Sequence, residues 1–298
     1  RKGGDFMVIQ WFPGHMAKAT REVKEKLKLV DIVFELVDAR CPLSSHNMYL
    51  DEVVKDKKKI IIFNKIDLCD RKETAKWKNY FENKGYVVVY TDAKNSNNLN
   101  KVIDKAKEEL AEKIARQVAK GIKPRAIRSM VIGVPNVGKS TFINKLIKKN
   151  VANTANKPGV TKKQQWLKLN KDIELLDTPG ILMPKFDNQE IGKKLSLIGS
   201  IKDDITPLDD VSLYLIELLK NNYLENLNNH YKLNVKAEDE NLTIMEKIAE
   251  KRFKKIGGDY DYDSTIKLLI QDFRTQKFGL ITLDNYNEIV NNEESYED

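Results

Sequence analysis

A glycine-rich segment, residues 133–140 (GVPNVGKS), constrains the fold of this 298-residue chain more than any other feature. An apolar run, residues 130–134, leads into it, and a helical pattern follows. Glycines let successive backbone N–H groups turn toward an anion, and the N-terminus of the following helix favours negative charge. The pattern GxxxxGK[ST] between a strand and a helix therefore predicts a phosphate-binding loop. The alternative is a strand–helix turn that binds no ligand.

The polar side chains of this segment have predicted roles. Lys139 is expected to reach the β- and γ-phosphates of a nucleotide, and Ser140 is expected to ligate Mg²⁺. The predicted nucleotide contacts of the segment are Asn136, Val137, Gly138, Lys139, Ser140 and Thr141.

Strand and helix patterns alternate along the first two thirds of the chain. Strands are predicted over residues 31–37, 60–63, 87–90 and 130–134, and near 166–169 and 173–176. Helical periods lie around residues 74–84 and 99–120. This alternation predicts an α/β fold, in which helices cover both faces of a mostly parallel sheet.

Beyond residue 205 the pattern changes to helical periods without a strong strand signal, at 208–219, 242–253 and 264–273. We therefore predict an α/β domain over residues 7–204 and a small all-α domain over 205–287. A frayed acidic tail is predicted over 288–298. Residues 1–6, which precede Met7, are interpreted as an expression remnant.

A second phosphate-related motif, residues 177–180 (DTPG), follows the strand predicted at 173–176. Asp177 is expected to hold Mg²⁺ through a water molecule, and the N–H of Gly180 to contact the γ-phosphate. Thr161, in the preceding segment 158–161 (PGVT), is expected to complete the metal shell in the triphosphate state. Taken alone, DTPG is also a common β-turn sequence.

Residues 64–67 (NKID) follow another strand and are predicted to recognise a base. The Asp67 carboxylate can accept hydrogen bonds from the N1–H and the N2 amino group of guanine, which adenine does not offer. Asn64 suits the O6/N7 edge of guanine, and the stem of Lys65 can lie over the ring. The N–H of Ala93, in residues 91–94 (TDAK), is expected to reach O6. Together with the phosphate loop, these motifs predict a guanine nucleotide site.

The chain resembles the bacterial ribosome biogenesis GTPase A (RbgA/YlqF) family in three further segments: residues 11–18 (WFPGHMAK), 38–40 (DAR) and 123–126 (KPRA). In ordinary GTPases the phosphate loop comes first, whereas here the base-recognition motif precedes it, so the order is circularly permuted. The resemblance implies a P-loop GTPase domain and a GTP-hydrolysing factor. It also implies action on an immature large ribosomal subunit late in assembly, with turnover stimulated by the ribosomal particle.

Many GTPases orient the attacking water with a glutamine after the glycine of the metal-aspartate motif, but Ile181 stands there in this chain. We therefore expect slow hydrolysis by the protein alone. Asn136 resembles residues with which some GTPases recruit K⁺, and His15 is a candidate to position or deprotonate water. The alternative for His15 is a solvent-facing or capping residue. His46 and His230, which lie in no motif, are expected on the surface.

The net charge of +8 is unevenly distributed, since residues 1–200 carry +17 and residues 201–298 carry −9. Much of the basic excess is interpreted as a lysine-rich solvated surface. In the acidic C-terminal part, local basic clusters are the predicted rRNA contacts. Their members are Lys251, Arg252, Lys254, Lys255, Arg274 and Lys277.

The composition also limits the class of protein. No apolar run approaches the ~18 residues that span a bilayer, no signal peptide is evident, and the only cysteines, Cys41 and Cys69, lack metal-type spacing. We expect a cytoplasmic monomer. An ATP-dependent kinase is disfavoured by Asp67. Two alternatives to a ribosome assembly GTPase stay open: a GTP-controlled switch acting on a protein partner, and a GTPase of tRNA modification.

Overall fold

The computed structural model describes residues 13–151, 166–169, 171–176, 188–255 and 257–294. Contacts divide the chain into two compact units. The sheet unit runs from Trp11 to Lys185 and resumes at Asp284, and the helical unit contains Phe186–Leu283. Within the described residues, the helices are all too short or too polar to span a membrane.

The sheet unit contains one six-stranded sheet with the spatial order β3-β2-β1-β4-β6-β5. The strands are β1 (Ile32–Asp38), β2 (Lys58–Asn64), β3 (Val87–Tyr90), β4 (Ile127–Ile132), β5 (Trp166–Lys168) and β6 (Ile173–Leu176). All neighbouring pairs are parallel except β5 with β6. Every residue of β1 is buried, as expected for the centre of a parallel sheet covered on both faces.

The helices of the sheet unit that precede the helical unit are α1 (Pro13–Leu27), α2 (Met48–Val54), α3 (Arg71–Asn83), α4 (Leu99–Ala119) and α5 (Lys139–Val151). Asp70 caps α3, since its side chain accepts hydrogen bonds from two backbone N–H groups of the first turn. The connections through α3 and α4 run across the sheet in opposite directions. Right-handed crossovers therefore place these helices on opposite faces. The predicted α/β architecture is confirmed.

The helical unit consists of α6 (Gln189–Leu197), a 3₁₀ turn (Asp203–Ile205), α7 (Leu208–Asn222), α8 (Leu224–Tyr231), α9 (Asn241–Arg252) and α10 (Tyr262–Arg274). Its core is formed by the apolar faces of α7, α9 and α10. Contacts divide the chain near residue 186 rather than at the predicted 204/205 boundary, because α6 packs on α7 and α10.

The predicted acidic tail is wrong for residues 288–294, because α11 (Tyr286–Glu294) forms there and packs on α3 in the sheet unit. Asp284 anchors the segment, since its carboxylate accepts hydrogen bonds from the N–H groups of Leu43 (2.8 Å) and Ser44 (2.9 Å). Its backbone oxygen accepts the indole N–H of Trp77 at 2.9 Å. Tyr286 then packs edge-on against the Trp77 ring, with centroids 5.1 Å apart.

Candidate nucleotide-binding site

The residues predicted to bind a nucleotide meet at the carboxyl edge of the sheet. Asp38 ends β1 and Asn64 ends β2, Thr91 follows β3, and Gly133 follows β4. The chain runs from β1 outward through β2 and β3 and then returns to the other side of β1 at β4. Ligands of open α/β sheets bind outside the carboxyl ends of the strands at such a reversal.

Asn64 connects three loops at this edge. Its Nδ2 donates to the backbone oxygen of Val137 at 2.8 Å, and its Oδ1 accepts from Thr91 Oγ1 and from the N–H of Ala93, both at 3.1 Å. The side chain is buried, and a Cβ at Gly138 would lie 2.5 Å from Nδ2. The Asn64 amide therefore holds the three loops together, and its second Nδ2–H leaves the predicted contact with the base edge as a prediction. The N–H of Ala93 donates to Asn64 Oδ1, and its predicted contact with O6 stays a prediction.

Lys65 links the base-recognition loop to the phosphate loop. Its Nζ donates to the backbone oxygen of Asn136 at 2.7 Å and forms an ion pair with Asp38 at 2.9 Å. The backbone of Lys65 has φ = 60°, in the left-handed region that side chains other than glycine rarely adopt. The two Nζ contacts hold the Lys65 side chain at the carboxyl edge of the sheet.

Asp67, the predicted base acceptor, differs from its neighbours in the motif. The side chain is partly buried and makes no hydrogen bond or ion pair with any residue that the structure describes. Its neighbours in the motif have their polar atoms bonded within the protein, so Asp67 is the member of the motif whose carboxylate oxygens can accept the two N–H groups of guanine.

In the phosphate loop, Lys139 folds back over the backbone. Its Nζ donates to the oxygens of Gly133 (3.0 Å) and Val134 (2.9 Å), which places the ammonium group inside the loop. Gly133 has φ = 149°, and a Cβ there would lie 2.4 Å from the backbone oxygen of Leu36. Only glycine fits this close approach between the loop and β1.

The start of α5 provides the anion-binding end of the loop. Ser140 and Thr141 are exposed in the first turn of α5, where the backbone N–H groups have no partner within the helix. Asn136 is also exposed and has φ = 64°. β6 ends at Leu176, which pairs with Met130 of β4. The chain therefore reaches this side of the sheet just before Asp177.

Several predicted residues lie outside this description. Thr161, Asp177, Gly180 and Ile181 are outside the described residues. His15 lies in α1, and its side chain belongs to the part that is not described. The described part of the loop fits Mg²⁺, since the Ser140 hydroxyl is accessible in the first turn of α5.

A buried ionic cluster lies on the sheet, toward the amino ends of β2 and β3, and sequence reasoning missed it. Glu35 on β1 accepts hydrogen bonds from His46 Nδ1 at 3.0 Å and Lys59 Nζ at 2.9 Å. Asp51 bonds His46 Nε2 at 2.9 Å, accepts from Lys59, and receives the Tyr86 hydroxyl at 3.1 Å. The expectation that His46 lies on the surface is wrong, because it is 3% exposed. A glutamate within an otherwise apolar strand was the available signal, since a buried charge requires partners.

The charges of this cluster stabilise one another. Burial would lower the pKa of His46, but Glu35 and the hydrogen bonds to both carboxylates raise it to about 9. Burial would raise the pKa of Glu35, but His46 and Lys59 lower it to about 2. Glu35, His46 and Asp51 have the residue types of a metal site. However, both ring nitrogens of His46 are hydrogen-bonded and Lys59 contacts both carboxylates, so the cluster is an ion-pair network.

In the helical unit, part of the predicted RNA-binding cluster has a structural role. The guanidinium of Arg274 donates to the backbone oxygens of Ser196 (2.8 Å) and Leu197 (3.1 Å) at the end of α6. It also binds Asp203 with two hydrogen bonds, at 2.7 and 2.8 Å. The predicted RNA contact of Arg274 stays a prediction, because its guanidinium is bound within the unit but is still partly exposed.

The remaining members of the cluster lie on the surface. Lys254, Lys255 and Lys277 are exposed. Arg252 is exposed but lies over the ring of Tyr231 and donates to the backbone oxygen of His230 at 3.1 Å. The ring of His230 is partly buried and bonds Asp272 at 2.7 Å, so its expected surface position is also wrong.

Comparison with known proteins agrees with this site. The model of the RsgA GTPase family matches residues 27–187, and that of the 50S ribosome-binding GTPase family matches residues 128–251. The chain is 48% identical over 279 residues to ribosome biogenesis GTPase A of Bacillus licheniformis, covering 93% of this chain and 98% of that protein. The chain belongs to the ribosome biogenesis GTPase A family. It is a circularly permuted P-loop GTPase that hydrolyses GTP, and its helical part lies on the C-terminal side.

Solved structures of this GTPase family are similar over the same length. GNP-bound YlqF of Thermotoga maritima covers 90% of this chain and 98% of its own, with 28% identity and a TM-score of 0.62. GDP-bound YlqF of the same organism gives 27% identity and a TM-score of 0.60. GTPases of this kind use Mg²⁺.

Proposed function

We propose that this GTPase acts in late assembly of the large (50S) ribosomal subunit and that the ribosomal particle stimulates its turnover. Support comes from the relatives named ribosome biogenesis GTPase A and from the match to the 50S ribosome-binding GTPase model. The protein would act as a monomer in the cytoplasm, where ribosomal particles are assembled.

The observation that carries the nucleotide part of this proposal is the geometry of residues 64–67. Asn64 and Lys65 are bonded to the phosphate loop, whereas Asp67 has no hydrogen-bond or ion-pair partner among the described residues. The loop that contains residues 64–67 and the phosphate loop are thus joined at one edge of the sheet. A ligand that satisfies both halves carries a guanine at one end and a di- or triphosphate at the other.

Mg²⁺ would be held by Ser140, Thr161 and, through water, Asp177. When bound, it would neutralise charge on the β- and γ-phosphate oxygens. Lys139 supplies a second positive charge, and Val137, Gly138, Thr141 and Gly180 would donate backbone or hydroxyl hydrogen bonds to the phosphates.

Hydrolysis requires a group that orients water, because Ile181 cannot do so. His15 would supply this function, and K⁺ bound at Asn136 would add positive charge in the transition state. Asn136 is exposed in the loop, so it is accessible to a cation.

Binding to rRNA would involve Lys251, Arg252, Lys254, Lys255 and Lys277 of the helical unit. Lysine contacts to phosphate release counterions and weaken steeply with salt. The acidic charge of residues 201–298 would restrict binding to these few residues.

Cosedimentation tests the proposal. The full chain is mixed with immature large subunits, mature large subunits or small subunits, with a non-hydrolysable GTP analogue or GDP, at low and high salt. We expect retention on immature large subunits with the GTP analogue and its loss at high salt. Retention on small subunits alone, or on no particle, contradicts the proposal. Binding to a protein partner or to tRNA in parallel assays would indicate one of the two alternative functions.

A further inference from the structure

Asp38, at the end of β1, is a buried carboxylate aimed at the nucleotide site. Its Oδ1 accepts from the backbone N–H and the Nε of Arg40, at 3.0 and 2.9 Å. Its Oδ2 accepts from Arg40 Nη2 and from Lys65 Nζ, both at 2.9 Å. Burial would raise the pKa of Asp38, but the charges of Arg40 and Lys65 hold it well below its usual range. The group is therefore a fixed negative charge.

Arg40 explains how this charge is tolerated inside the protein. Its guanidinium is 4% exposed and grips both oxygens of Asp38 in a bidentate arrangement. Without Arg40, an ionised carboxylate with no exposure would be costly to bury. The guanidinium also lies close enough to Asp67 for their charges to attract. Negative and positive groups thus alternate from Asp67 through Arg40 and Asp38 to Lys65.

Asp38 fixes the side chain of Lys65 before a nucleotide arrives. The Lys65 ammonium group is bonded at once to Asp38 and to the backbone oxygen of Asn136, so the end of the side chain is held by two partners. An unconstrained lysine loses rotamer freedom when its stem is ordered against a ligand. A lysine already ordered in the free protein loses much less rotamer freedom on binding. The ligand therefore binds more tightly.

We propose that Asp38 is a positioning residue for guanine nucleotides, acting through Lys65. It holds the lysine stem over the place of the base and ties the base-recognition loop to the phosphate loop. The proposal rests on guanine nucleotide binding at this site. A purely structural role for Asp38, as a cap for the turn that it forms with Arg40, is the competing explanation.

A double-mutant cycle separates the two explanations. GDP affinity is measured with a fluorescent GDP analogue for the full chain, Asp38→Asn, Lys65→Met and the double variant. We expect each single variant to weaken binding roughly tenfold, as expected when one long side chain loses its order. The double variant should be no weaker than Lys65→Met alone, because Asp38 acts only through the lysine. The KM for GTP should rise in Asp38→Asn by more than kcat falls.

Asp31→Asn is the matched control. Asp31 precedes β1 at its other end and is ion-paired with Lys113 at 2.9 Å and Arg125 at 2.8 Å. Asp31→Asn should lower the free energy of unfolding and leave the GDP affinity unchanged. If Asp38→Asn does not fold, Asp38→Asn/Arg40→Met removes both charges of the buried pair and enters the same cycle.

Two outcomes would overturn the proposal while wild type binds GDP normally. The first is full additivity, in which Asp38→Asn weakens binding as much in Lys65→Met as in wild type. The second is GDP binding by a folded Asp38→Asn that equals wild type. Failure of wild type itself to bind GDP would contradict the nucleotide site instead.

Discussion

The buried cluster around His46 predicts a stability that falls as the pH rises. The pKa of His46 is about 9 in the folded protein and about 6.5 when unfolded. A group whose pKa is raised on folding contributes its full stabilisation below its unfolded pKa. This contribution is lost as the pH rises through the folded pKa. Between pH 6.5 and 9, linkage gives a loss of about 2–3 kcal/mol in the free energy of unfolding.

His46→Gln isolates this contribution. The variant keeps hydrogen-bonding capacity toward Glu35 and Asp51 but has no proton to lose in this range. We expect it to be less stable than wild type by about 2–3 kcal/mol at pH 6.5, and the gap to close by pH 9. In wild type, Glu35 does not contribute to this change, because its pKa is lowered to about 2 and its contribution changes only in acid.

Urea unfolding at pH 6, 7, 8 and 9 measures the effect. Trp77 is fully buried in the sheet unit and reports its unfolding by fluorescence. Lys59 and Tyr86, which also face the cluster, are present in both proteins, so the comparison cancels their titration. A gap that is constant with pH, or that widens toward pH 9, would refute the charged state assigned to His46.

Three further predictions concern the nucleotide site and the helical unit. Asn64→Ala leaves three buried partners without a hydrogen bond, so the free energy of unfolding should fall by about 2–4 kcal/mol and GDP affinity should drop, by urea unfolding and fluorescence titration; unchanged values would contradict its linking role. Asp67→Asn should shift nucleotide preference from guanine to xanthine in competition binding, and a retained guanine preference would exclude Asp67 as the base acceptor. Arg274→Met should lower the melting temperature of the chain, whereas Lys254→Met should leave it unchanged and weaken binding to ribosomal particles; the reverse pattern would contradict the roles assigned here.

The sheet and the identity of the site could be predicted because they depend on local patterns. The strand ends at Asn64 and Gly133 carry motifs whose residue types are required by backbone geometry, and parallel strands bring them to one edge. The approximate positions of β1 to β4 followed from apolar runs bounded by turns, although β4 (Ile127–Ile132) begins and ends earlier than the predicted 130–134. Such signals need no knowledge of distant contacts.

The remaining features depend on partners far away in the sequence. The pairing of Glu35 with His46, and the binding of Arg274 to the end of α6, join residues whose separation no local pattern reveals. The same holds for α11, whose acidic sequence indicates a tail although Tyr286 packs on Trp77. α2 and α8 are short, and neither has a side-chain cap to mark its start.

The bonding of Asn64 could not be read from its motif for another reason. An amide offers both donors and acceptors, so its residue type fits a base edge and a loop junction equally well. The three observed hydrogen bonds show its role at the loop junction.

The measurement that tests the central claim most directly is GTP turnover by the full chain with and without immature large ribosomal subunits. It is made at fixed Mg²⁺ in KCl and in NaCl, for wild type and His15→Ala. We predict slow turnover alone and stimulation by the particles of roughly tenfold or more in KCl, since the protein lacks a glutamine to orient water. Equal turnover with and without the particles would contradict a GTPase activated by the ribosome.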